Sequence, residues 1–238
     1  MEQIEKHNRF EPLPVLLLVL TITTGLLDAV SFLGLGRVFT ANMTGNVVFL
    51  GFALGGASGI AVTSSLIAIG AFVSGAVLGG RIGKIYAGEE LRKWFLTVAL
   101  IESGLLLVAG FVALGFNIET QSTVFQLYAV IVLTAAAMGL RNSTVRQINV
   151  KDITTTVLTL TLTGIGADST LAGGANTNIA RRVSSVALML AGAALGAFLL
   201  YRSGGVSLPL FVCGASVLIV TLVHAALPAS RVRREAAT

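Results

Sequence analysis

Residues 36–50 read GRVFTANMTGNVVFL, and this stretch decides the fold. It is only half apolar, yet it lies between two runs greasy enough to span a bilayer. Thr40, Asn42, Thr44 and Asn46 bring four hydrogen-bonding side chains, and Gly45 adds a flexible backbone point. A soluble loop would not run at once into VVFLGFAL, and an ordinary membrane helix would not carry TANMTGN. Polar, backbone-exposing sequence at membrane depth is tolerated only where protein or a water-filled cavity surrounds it. The stretch therefore reads as the working part of a membrane protein.

The rest of the chain agrees. Of its 238 residues 55% are hydrophobic and only 11% charged, against about 25% charged in soluble domains. Mean hydropathy is +0.89. Long apolar runs recur from Leu13 to Leu227, the pattern of a polytopic all-α membrane protein. Barrels show weak alternating segments of ~10 residues instead. The first apolar run is too long for a cleaved signal peptide, whose apolar region is about 7–15 residues, and it contains Asp28. A single cysteine, Cys213, leaves no disulfide framework, and His7 and His224 lack metal-ligand spacing. The +5 net charge sits in loops and tails, as membrane orientation requires, so nucleic acid is not expected as a partner.

In order, long apolar segments are expected near 14–35, 60–82, 94–116, 122–140, 183–200 and 206–227. Two odd stretches interrupt them: residues 36–54, and Asp152–Gly166, whose sequence DITTTVLTLTLTGIG carries six Thr. Shifting the chain by 114 residues lays Gly25-Leu26 on Gly139-Leu140, Asp28 on Asn142 and Thr40 on Thr154. A shift of 117 lays GAVLG at 75–79 on GAALG at 192–196. The matches are collinear and include polar positions, so the chain reads as one membrane domain with two repeats, 13–116 and 122–227.

Charge sets the topology. If all eight segments cross, seven Lys and Arg lie on the side of the N-terminus and nine opposite, against the positive-inside rule. If the two odd stretches enter and leave on one face, fourteen lie with the N-terminus and only Arg37 and Arg202 opposite. That gives six crossings plus two re-entrant segments, with both termini cytoplasmic. Three crossings per half make the repeats inverted, as in many secondary transporters. Lengths fit: 36–42, if extended, descends about 23 Å, and 43–56, if helical, returns about 21 Å.

A helix that starts at the tip points unpaired N–H groups into the membrane, which suits an anion or carboxylate. Thr40, Asn42, Thr44, Asn46, Asn142 and Thr154, Thr155 and Thr156 are the candidate binding residues; the alternative is that they only cap and pack the re-entrant segments. Asp28 and Glu102 are ionisable groups inside membrane segments, hence functional by default and candidates for proton coupling. A structural ion pair is the competing role for Glu102. Arg141 and Arg146 read as basic anchors at a helix end, with an anion counter-charge as the alternative. No nucleophile–base pair, metal cluster or phosphate loop is present, so neither an enzyme nor a cofactor is expected.

The string from Gly25 to Gly51, GLLDAVSF…FTANMTGNVVFLG, the setting of Glu102 and the Thr-rich stretch from Thr154 resemble the YoaK family of bacterial inner-membrane proteins. The resemblance covers about 13–227 and implies some six membrane helices and an inner-membrane location; the family is of unknown function and implies no substrate. Its second half is similar to M-G-x-Q-N-A, where this chain has Arg141 in the Gln place. These features together point to a secondary transporter of a small solute, an anion where the half-helix start is the binding element. A membrane scaffold or a channel stands as the alternative. Expected partners are the lipid bilayer, a small-molecule solute and, in an oligomer, further copies of the chain.

Overall fold

The structure is a computed structural model that describes residues 12–121, 123–148 and 158–227. Among these residues six helices are long and apolar enough to cross a membrane. They are α1 (Pro12–Gly34), α3 (Val62–Ile85), α4 (Leu91–Val112), α5 (Val124–Ile148), α7 (Ile179–Ser203) and α8 (Ser207–Ala226). Two shorter apolar helices, α2 (Met43–Leu54) and α6 (Leu158–Ala167), are too short to span, at about 18 and 15 Å. The six long and two short segments expected from the charge count are therefore present among the described residues. The fifth helix differs from expectation. It runs on to Ile148, which carries Arg141 inside the bundle rather than at its edge.

Small residues set the packing. Lipid is as apolar as leucine, so membrane helices associate by close packing rather than by escaping water. A Cβ on Gly75 would strike the backbone of Ala136, and one on Gly139 that of Phe72 and Ala76; these contacts join α3 to α5. A Cβ on Gly25 would strike Met189 and Ala193, and one on Gly192 would strike Ile22, joining α1 to α7. Residue numbers rise together along both seams, so each is a parallel pair. Helices α4 and α8 cross antiparallel. The Ser103 hydroxyl donates to the Gly214 carbonyl at 2.8 Å, and Phe111 meets Phe211 edge-on at 4.9 Å.

The directions place the short helices. Helices α1 and α4 run away from the end that holds the start of α1, and α3, α5 and α8 run back toward it. Helix α2 thus begins and ends its loop at the far end, and α6 at the near end. Gly36 and Arg37 adopt left-handed conformations that turn the chain at the end of α1. Phe39 then stacks on Phe32 at 5.0 Å and on Phe49 at 6.0 Å, fastening the turn and α2 to α1. The near end carries Arg81, Lys84, Arg92, Lys93, Arg146, Arg181 and Arg182, and the far end Arg37 and Arg202.

Candidate functional site

Helix α1 supplies the first part of the site. Thr21, Thr23, Thr24, Asp28 and Ser31 are all buried in an otherwise apolar helix. The Thr23 and Thr24 hydroxyls both donate to the Leu20 carbonyl, at 2.8 and 3.1 Å. This back-bonding consumes the hydroxyl hydrogen and leaves the oxygen lone pairs facing inward as acceptors.

Arg141 of α5 uses them. Its Nη1 donates to Thr23 Oγ1 at 2.8 Å, Thr24 Oγ1 at 3.1 Å and the Leu20 carbonyl at 3.1 Å. Its Nε donates to Glu102 Oε1 of α4 at 2.7 Å, and Nη2 bonds the same oxygen. Arg141 and Glu102 are each only 2% exposed. Burying either ion alone would cost several kcal/mol, so the pair is neutral as a unit and held by three helices. Cys213 of α8, in contact with the Thr23 carbonyl at 3.7 Å, closes the fourth side.

A cavity of about 30 Å³ adjoins the pair. It runs from Glu102 and Arg141 toward the near end, past Thr144, Thr221, Phe95 and Leu16. By this measure a water needs roughly 10–15 Å³, so the space admits about two. A larger depression of about 800 Å³ indents the far end, lined by Asn117, Glu119, Ser203 and Ser207 among others. Between the two lie Leu106, Ala109, Leu210 and Cys213, all fully buried.

The residues expected at the re-entrant tip have other partners. Asp28 Oδ1 accepts from the Ala41 amide at 3.3 Å, and the Asn42 amide also bonds this carboxylate. Asn46, fully buried, grips Phe39 from both sides: Oδ1 accepts from its N–H at 2.9 Å and Nδ2 donates to its carbonyl at 2.6 Å. Asn42 stands at the start of α2 without a side-chain capping bond, and it and Thr44 are exposed on the helix surface. Thr40 is fully buried, and its hydroxyl has no partner among the described residues; the same holds for Asn142 Oδ1. Thr154, Thr155 and Thr156 lie outside the described residues. Gln126 and Thr134, polar groups elsewhere on α5, donate to backbone carbonyls of Val112, Leu114 and Val130. The structure thus joins Asp28 to the tip and, four residues back along α1, Thr24 to the Arg141–Glu102 pair. Reading the sequence missed Thr23 and Thr24 and placed Arg141 at a boundary. The available signal was T-I-T-T at 21–24, a polar run in the middle of an apolar helix.

The model of a protein family described as "Protein of unknown function (DUF1275)" matches residues 16–223. The chain belongs to this family. It is also 35% identical over 155 residues to the UPF0700 transmembrane protein YoaK of Bacillus subtilis (strain 168). That alignment covers 64% of this chain and 65% of the relative, just under two thirds of the relative's length. No solved structure matches the chain. DUF1275 membership agrees with the resemblance drawn from Gly25–Gly51 and with a multi-pass membrane protein in a lipid bilayer.

Proposed function

We propose that this DUF1275 member is a secondary transporter of a small anionic solute in the bacterial inner membrane, with its termini cytoplasmic. The observation that carries the reading is the Arg141–Glu102 pair: a charged site buried between α1, α4, α5 and α8, at the inner end of a cavity on one side and sealed by an apolar layer on the other. A site reached from one face at a time is what alternating access requires. Asp28 holds the re-entrant tip, and Glu102 is the coupling carboxyl.

An inverted repeat of α1–α4 and α5–α8 supplies the moving parts. Exchange α1 with α5, α2 with α6, α3 with α7 and α4 with α8, and every contact between α-helices falls on another such contact. The seam glycines obey the same rule. Gly25 and Gly139 correspond by the 114 shift, and their neighbours Met189 and Phe72, or Ala193 and Ala76, by the 117 shift. Each half therefore grips the other through equivalent surfaces, and rocking one against the other would open the site to alternate faces.

Uptake of a broad solute panel into proteoliposomes, with and without a pH gradient, tests the proposal. The parent protein is expected to accumulate an anion, and E102Q to lose the gradient dependence. If no solute moves, the scaffold reading replaces transport. If solute moves with no saturation, the channel reading does.

A further inference from the structure

We infer that the Arg141–Glu102 pair is an exchangeable anion site for a short, amphiphilic monocarboxylate, with one proton entering at Glu102 for each carboxylate that reaches Arg141. The inference deepens the transport reading by naming substrate class and coupling, and only its uptake arm depends on that reading.

Three observations carry it. The first is partner geometry. Glu102 occupies the Nε and Nη2 edge of the guanidinium, while Nη1 is held separately by Leu20, Thr23 and Thr24. That edge is a two-donor fork matched to a carboxylate. It can change partner while Nη1 keeps the arginine in place. The second is the wall. Beyond the pair and two threonines, the cavity is lined by Leu17, Val98, Val145, Phe95 and like residues. One fork in an apolar chamber suits a single carboxylate; the chamber as it stands holds about two waters, so even a short alkyl body enters only as Glu102 leaves the fork and the apolar lining gives way. A dianion would lack a second counter-charge, and a polyol would lack partners.

The third is charge. The site is neutral with Arg141 cationic and Glu102 anionic. A monocarboxylate arriving alone would leave an uncompensated negative charge in the membrane core, which is costly. When Glu102 takes up a proton relayed from bulk solvent through the cavity, its bonds to the fork are surrendered and the incoming carboxylate accepts the same two N–H groups. Net charge is zero before and after, so transport is electroneutral, one proton per anion. Among the described residues, ionisable groups on the elements packed about α4 and the pair include Cys213 and His224 on α8, the latter edge-on to Phe95 at 5.7 Å, Tyr86 after α3, bonded to Thr97, and Asp28 farther along α1.

Trp94, the chain's only tryptophan, stacks on the cavity residue Phe95 at 5.5 Å and provides a reporter. The experiment titrates the full chain in detergent with lactate and butyrate, following tryptophan fluorescence between pH 5 and 8. Lactamide and sulfate serve as controls, and H224Q separates any direct effect of that histidine. Monocarboxylate Kd is expected to tighten about tenfold per pH unit of acidification, the slope of one linked proton. E102Q is expected to bind tightly without that slope, and R141Q, lactamide and sulfate to give no response. A pH-independent Kd in the parent, equal binding of lactamide, loss of binding in E102Q, or no saturable response to either acid overturns the inference. Should R141Q not fold, the E102Q and lactamide arms still decide. Lactate uptake driven by a pH gradient and indifferent to a valinomycin-clamped potential is the companion measurement. Binding as expected without uptake removes transport and keeps the site; uptake that follows the potential keeps transport and removes the exchange.

Discussion

Asp28 and Glu102 are both carboxylates inside membrane helices, and the sequence treats them alike. The structure does not. Asp28 accepts from the Ala41 and Asn42 amides, backbone donors that can leave only if the re-entrant turn itself moves. Glu102 accepts from a side chain on another helix, which can let go without any change of backbone. The first is an architectural clamp near the far end; the second pairs with another side chain at the core. Position in a membrane helix signals that an acid matters, and its donor tells what it does.

Breaking the core pair is expected to have the largest effect. R141L strands Glu102 in an apolar core and should cost about 3–5 kcal/mol, whereas E102L/R141L should recover most of it, since buried ion pairs are often replaceable by apolar side chains. Chemical denaturation of the detergent-solubilised protein measures both. A cost for R141L below about 1 kcal/mol would erase the distinction between the two acids. Next comes the clamp. N46A leaves the Phe39 N–H and carbonyl without their partner and should cost about 2–3 kcal/mol, with faster hydrogen exchange confined to 38–46. D28N keeps one acceptor oxygen for the Ala41 amide while exchanging the other oxygen for an NH2 and losing the charge, so about 1 kcal/mol is expected, again read by exchange at 41–43 and with gradient-driven uptake retained. Loss of proton coupling in D28N with normal stability would move the proposed coupling role from Glu102 to Asp28. Smallest is Gly51→Ala, on the outward side of α2 with open space about it, where removal of a glycine from a helix should be neutral or stabilise by up to about 1 kcal/mol.

The fold was legible because its causes are one-dimensional. Run length separates α1 from α2, and the distribution of Lys and Arg places Met43–Leu54 as a return rather than a crossing. The site was legible only in its acids. Arg141 looked like a boundary residue because Met138-Gly139-Leu140 ends the apolar run, and nothing local shows that Thr23 and Thr24, more than 110 residues earlier, present lone pairs to it. Asn46 looked like a ligand-binding amide for a related reason. Its side chain matches a peptide group in donor and acceptor, so a peptide at Phe39 and a solute are indistinguishable to it until the turn is folded.

The interleaved seams also order the chain's assembly. A ribosome delivers α1 long before α7, the helix whose backbone lies against Gly25. Arg141, which caps the threonines of α1, follows Leu20 by 121 residues. During synthesis α1 must therefore wait in the bilayer with the Thr23 and Thr24 lone pairs unmatched, whereas Asp28 finds its partner in the turn that follows at once, and α3 must wait likewise for α5. Neither half is a folding unit that could be made first and stored. Translation pauses or helper proteins that shield half-made chains will act most strongly on this protein between the emergence of α1 and that of α7.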